Sequence, residues 1–284
     1  MLQVRNNVQP LGIAFSSLAF PTQPLEEVAA LGASWGYDGI ELRVIDGELI
    51  DPAMSPAERA RVSRVLEREG LAVVAVDSSI RLTAEGADAG IDAFLDLAEA
   101  CGAPLVRVFG GALPAEPAAR AERMAAVAGT LRAASGRAER LGVGIGLETH
   151  DDFSSSAVVA EVLAEVPSPF VGAVWDSHHP WRMGESAELT HANLGGRLLL
   201  AQVKDARRSA AHEGGWELVL LGDGEVPVRE MVALLGAGGY AGVLSVEWEK
   251  RWHPEIAEPE VALPQHLELL QAWVGGSSRS VGGT

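Results

Sequence analysis

Four apolar runs in the second half of the chain each end on a residue that could do chemistry. VGIGLETHDD (143–152) climbs through small and branched side chains and stops at Glu148, with His150, Asp151 and Asp152 crowded behind it. VGAVWDSHH delivers Asp176, LLLAQVKD delivers Gln202 and GVLSVEWEK delivers Glu247. Short apolar runs bounded by polar residues read as strands buried on both faces of a parallel sheet. The carboxyl end of such a strand is where α/β folds bind ligands. Three carboxylates and an amide carbonyl at neighbouring strand tips would repel one another, or be costly to desolvate, without a counter-charge. A divalent cation supplies it. The donors are all oxygens, so Mg²⁺ or Mn²⁺ is expected, while Zn²⁺ also accepts carboxylates. No cysteine pair and no HExxH pattern marks a dedicated zinc site. Any one of these residues alone could be a solvated loop carboxylate or a helix N-cap. Four in consecutive units, each after an apolar strand, point to a shared site.

The elements that must position them alternate along the whole chain. Strands are predicted to start near residues 12, 39, 71, 105, 143, 171, 198 and 242, the spacing of βαβ units. Between them lie helical stretches with recognisable ends. Ser55-Pro56-Ala57-Glu58 is a capping box with proline at the first helical position, and Gly70 stops that helix. Further helices are expected over 89–100, about 116–140, 155–166, within 185–194, and over about 261–274. Eight alternations in a chain this long favour a closed (β/α)8 TIM barrel over an open sheet. One domain is expected over 1–274, with a flexible tail at 275–284. The widest gap, between strands seven and eight, holds SAAHEGGWELVLLGDGEVP, whose WELVLLGDGE portion is expected to form a short hairpin or lid over the site. Its two glycines suit a backbone with φ above zero.

Composition narrows the partners. The 284 residues carry a formal charge of −17 without a long basic run, which argues against nucleic acid. No apolar stretch approaches the ~20 residues needed to span a bilayer, and the N-terminus lacks a signal-peptide core. The single cysteine, Cys101, needs no oxidising compartment and reads as a small packed residue. A cytoplasmic protein acting on a small molecule is the expectation. Oligomeric state stays open, a homodimer being favoured only by how common two-fold assemblies are.

GIEL after strand two, GLETH after strand five, WDSHH after strand six, VKD after strand seven and SVEWE after strand eight resemble the xylose-isomerase-like TIM-barrel family. That family includes sugar isomerases and epimerases, inosose dehydratases, dehydroshikimate dehydratases and a DNA-repair endonuclease branch. The resemblance spans about 11–274. It implies Glu148, Asp176, Gln202 and Glu247 as metal ligands. The third ligand is usually histidine in the epimerase-like branch, so Gln202 is a departure that weakens any preference for a soft metal. The resemblance also implies that Glu41, Arg107, His179 and Lys204 face the substrate, with Arg208 a more distant candidate. Each has a structural alternative. His178 or His179 could cap the loop, Lys204 could pair with Asp205, and Arg107 could pair with a core carboxylate. Trp175 and Trp248 read as packing.

The chemistry expected first is isomerisation or epimerisation of a small keto-sugar or polyol. A divalent ion would chelate adjacent carbonyl and hydroxyl oxygens and stabilise the enediolate left by proton removal. Glu148 and Glu247 would form the acid–base pair, one taking and one returning the proton. The alternative is a dehydratase, in which the same abstraction is followed by loss of a β-hydroxyl, with His150 and Lys204 as candidate base and acid. A nuclease fits the scattered histidines and the negative charge poorly. A barrel that binds a sugar without turnover would be told apart by a substrate panel.

Overall fold

The computed structural model describes residues 12–277. In chain order the first half comprises β1 (Gly12–Ser16), α1 (Leu25–Trp35), β2 (Gly39–Leu42), the short pair β3 (Val44–Ile45) and β4 (Glu48–Leu49), α2 (Pro56–Glu69), β5 (Ala72–Arg81), α3 (Ala87–Ala100), β6 (Leu105–Phe109) and α4 (Pro117–Leu141). There follow β7 (Gly144–Glu148), α5 (Ser156–Ala164), β8 (Val171–Asp176), α6 (His178–Arg182), α7 (Ala187–Leu194), β9 (Leu198–Val203), β10 (Asp205–Arg208), β11 (Trp216–Val219), α8 (Val228–Ala237), β12 (Val243–Val246) and α9 (Pro259–Ser277). Eight strands, all parallel, close in the order β1-β12-β9-β8-β7-β6-β5-β2. This is the expected (β/α)8 barrel.

Why these segments are strands follows from where their faces go. Side chains alternate between the barrel interior and the helical shell. In β6, β7 and β8 every residue is buried, so the sequence shows continuous apolar runs rather than visible alternation. Inside, Ala75, Leu105, Val174 and Leu200 pack together as an apolar floor, with Val243 against them. Two residues further along the same strands come Asp77, Arg107, Asp176, Gln202 and Ser245. The floor is close-packed at Gly146, where a Cβ would meet Val174 Cγ2 at 2.5 Å and Leu105 Cδ1 at 3.3 Å. Period two thus sets an apolar layer under a polar one.

Helix ends match the local chemistry. Ser55 Oγ accepts from the Glu58 amide and the Glu58 carboxylate accepts from the Ser55 amide, completing the capping box. Gly70 follows in the left-handed conformation at φ 72°.

Several boundaries differ from the expectations. Strand two ends at Leu42, because Val44–Ile45 turns out of the barrel to pair antiparallel with Glu48–Leu49. The hairpin between strands seven and eight forms further upstream than expected. Asp205–Arg208 pairs with Trp216–Val219, while the LGDGE segment wraps Asp205. A helix not predicted from the sequence, α8, completes that unit; its buried Val228, Met231, Val232 and Leu235 fall at helical spacing. The short α6 also went unpredicted, since Pro180 and two histidines obscure its pattern. The chain stays helical through Ser277, which moves the expected tail boundary at 275; residues 278–284 lie outside the described part, as does Leu11 at the start of strand one. Cys101 is buried, as expected. No helix among the described residues is long and apolar enough to cross a membrane.

Candidate active site

The carboxyl ends of the strands bring Glu148, Asp176 and Glu247 together, one oxygen from each lying within 4.8 Å of the others. All three are buried, none more than 5% exposed. Asp176 ends β8, and its Oδ1 accepts from the His178 and His179 amides at 2.7 and 3.2 Å. The caps therefore run from Asp176 to the histidine backbone, rather than from a histidine to the loop. Ser177 Oγ locks the neighbouring strand end by donating to the Lys204 carbonyl and accepting from the Lys204 amide.

Gln202 lies beside this group. Its Nε2 donates to Glu41 Oε1 at 2.6 Å and stands 3.5 Å from Glu247 Oε1, while its Oε1 is buried without a partner. The amide nitrogen is held by carboxylates, which leaves the carbonyl oxygen as the free donor a cation would use. Glu41, expected to face substrate, thus acts on Gln202. Burial, then the Asp77 charge, push Glu41 well above the usual carboxylate range.

Two cations knit the carboxylates. Arg107 Nε lies 2.9 Å from Glu148 Oε2, its Nη2 is 3.4 Å from Asp77 Oδ2, and its Nη1 donates to the Ser78 carbonyl. Arg107 thus pairs both with Asp77 and with Glu148, itself one of the candidate site carboxylates. The guanidinium also sits 4.0 Å above the Phe109 ring. Lys204 Nζ is 2.7 Å from both Asp176 Oδ2 and Glu247 Oε2, and it bonds Glu249 as well. It does not pair with Asp205. That side chain instead accepts from the amides of Ala206, Gly222, Gly224 and Val226. Burial works against the Lys204 charge, but Asp176, Glu247 and Glu249 outweigh it and hold the ammonium well above its ordinary value.

Histidines line the rim. His150 Nδ1 is 2.9 Å from Asp151 Oδ1, and its ring lies 4.6 Å from that of His179 and 4.4 Å from Phe109. Both ring nitrogens of His179 are buried without partners. Burial, then the nearby Lys204 charge, hold His179 far below the ordinary imidazole value, so it is neutral. Desolvation raises Glu148 to about 7 despite the opposing Arg107. The β10–β11 hairpin reaches the same rim, with Trp216 packed edge-on to His178 at 5.0 Å. Arg208 is exposed on that hairpin, its guanidinium 4.8 Å over Trp216, and does not join the carboxylate group. Trp175 and Trp248 are buried packing residues, Trp248 donating to the Ala257 carbonyl.

The model of the xylose isomerase-like TIM barrel family matches residues 29–273. The chain belongs to that family. No curated protein matches it at a significant level. Solved structures of family architecture superpose closely. An L-ribulose 3-epimerase has a TM-score of 0.77 at 17% identity, covering 95% of this chain and 96% of that one. The IOLI protein with a bound zinc atom has 0.76 at 18%, covering 95% and 100%. A probable 3-DHS dehydratase, AsbF, of Bacillus anthracis petrobactin synthesis has 0.74 at 16%, covering 92% and 99%. At these identities the likeness is one of fold.

The residues of this family member fit a divalent ion, either among Glu148, Asp176 and Glu247 or among Glu148, His150 and His179. Three buried carboxylates offer oxygens around one point, and the orphaned Gln202 Oε1 is a fourth acceptor without a donor. Sequence reasoning did not reach Asp77, Arg43 or Glu249. Asp77 could have been found, because it lies two residues beyond Ala75 on the same strand, whereas Arg43 falls just past the end of β2, where period two no longer applies.

Proposed function

We propose that this family member is a divalent-metal-dependent isomerase or epimerase of a small keto-sugar or polyol, working by proton abstraction beside a carbonyl. The convergence of Glu148, Asp176 and Glu247 within 4.8 Å carries this reading. Glu148, Asp176, Gln202 and Glu247 would hold the ion, which when bound supplies positive charge to the substrate oxygens beside the reacting carbon. Glu148 and Glu247 exchange the proton. Desolvation puts Glu148 near neutrality, where a carboxyl can both accept and return a proton. Arg107 fixes the orientation of Glu148, and Lys204 that of Glu247. Mn²⁺ or Mg²⁺ suits the all-oxygen donors, with Zn²⁺ the next choice.

A dehydratase is the second reading, favoured by the pair of imidazoles beside Glu148. In it, a glutamate takes the proton next to the carbonyl, the C–O bond to the β-hydroxyl breaks, and His150 or Lys204 gives that hydroxyl a proton so that it leaves as water.

Chelator-treated protein, assayed on ketoses and cyclic polyol ketones by polarimetry and ultraviolet absorbance, separates these readings. Recovery of turnover with Mn²⁺ or Mg²⁺ is expected. A product of inverted configuration supports the epimerase, and a new enone band supports the dehydratase. Full activity of rigorously metal-free protein would end the metal-dependent reading.

A further inference from the structure

Arg43 differs from the other cations facing the carboxylate group. Arg107 spends its guanidinium on Glu148, Asp77 and the Ser78 carbonyl, and Lys204 spends its ammonium on Asp176, Glu247 and Glu249. Among the described residues, no carboxylate lies within ion-pair distance of Arg43. Only its Nη1 is engaged, donating to the Asp77 carbonyl at 3.1 Å and to Ser79 Oγ at 2.9 Å. Its Nε and Nη2 make no hydrogen bond among the described residues. The residue as a whole is 6% exposed.

Its place is fixed on both sides. The Arg43 and Val44 amides both donate to Ser17 Oγ, at 2.8 and 2.9 Å, which pins the backbone where β2 leaves the barrel. Arg43 lies just past the end of β2, and its Nη1 bonds to the Asp77 carbonyl and Ser79 Oγ carry the guanidinium over the neighbouring strand β5. Burial and then the Arg107 charge work against the Arg43 cation, while the charges of Asp77, Glu247 and Glu148 support it. A pinned guanidinium with one free edge presents two parallel N–H groups, the geometry that takes a planar carboxylate bidentately. No carboxylate of the described residues occupies that edge, so a carboxylate brought by a ligand would complete the fork. The formal charge of −17 would repel acids from the surface at large, which makes a local fork necessary for binding one.

We propose that Arg43 anchors a carboxylate of the substrate, so that the site takes sugar acids or hydroxylated cyclic acids in preference to their uncharged counterparts. This rests on the reading of the carboxylate group as the substrate site and names its substrate class.

Calorimetric titration of the full chain, metal-free and Mn²⁺-loaded, tests it with two matched pairs, quinate against myo-inositol and D-galacturonate against D-galactose. The wild type is expected to prefer at least one acid over its neutral partner by tenfold or more. In Arg43→Gln that preference should fall at least tenfold. In Arg43→Lys it should fall less, because a point charge remains without the fork. If Arg43→Gln melts early, the lysine variant alone decides, and an unchanged preference in it overturns the proposal. A wild type without preference, or a preference that survives Arg43→Gln, also overturns it. Because binding needs no turnover, an acid held through Arg43 but never converted would sink the reaction proposed above and leave this one standing.

Discussion

Glu247 shows how a residue can be central to chemistry and marginal to the core. It touches Lys204 and Gln202 but belongs to no apolar cluster. Glu247→Gln keeps the shape and removes the charge and the basicity. Turnover is expected to fall by ~10² to ~10⁴, the usual contribution of a positioned acid or base. The melting curve by circular dichroism should keep a single cooperative transition. Retention of most activity would show that the proton is handled elsewhere. Glu148, Asp176, Gln202 and Glu247 were legible as ligand candidates because each follows an apolar run. Glu41 was legible as a residue but not in its role. Its partner Gln202 lies 161 positions away, and nothing local to GIEL announces that hydrogen bond.

At the scale of elements, the shell is tested where α9 packs against Trp248. His266 is fully buried on α9, its ring 5.3 Å from that of Trp248, with Nδ1 at the Ala262 carbonyl and Nε2 unpartnered. Burial lowers it to about 4. The unfolded chain therefore binds a proton below about 6.5 that the folded chain refuses until about 4, so stability falls as pH drops through that window. The fully developed loss is about 3 kcal/mol. His266→Gln abolishes this contribution, so urea unfolding of the two proteins should show their difference changing by about 2–3 kcal/mol between pH 7 and 4.5. Parallel stability curves would remove His266 from the account. The hairpin between β9 and α8 was foreseen as an element, but its partner strand was not. Asp205 gathers four amides, and a Cβ at Gly224 would lie 2.1 Å from its Oδ1. That close approach explains the second glycine of LGDGE, whereas the first, Gly222, has the expected positive φ of 90°.

For the whole molecule, the site and the barrel share one electrostatic problem. Buried carboxylates from five strands or strand ends face inward, and Arg43, Arg107 and Lys204 offset only part of their charge. A divalent ion that binds the folded chain alone should raise stability by about 2.7 kcal/mol at a hundred times its Kd. For a chain of this size that is a rise in melting temperature of roughly 4–5 °C. Differential scanning calorimetry with Mn²⁺, Mg²⁺ or Zn²⁺ reads it directly, and an unmoved transition with all three would mean that no cation completes this cluster. By itself the sequence determined the eight strands, most of the helices between them, the closed barrel and the kinds of donor at the strand tips, because apolar runs, helix caps and period two are local properties. Only the tertiary structure decided which charges meet. Barrel closure and strand stagger place Lys204 against Asp176, Glu247 and Glu249 instead of its neighbour Asp205, and leave Arg43 with an open edge. Those pairings depend on distances of a few ångströms between groups far apart in the chain, and no spacing along the backbone encodes them.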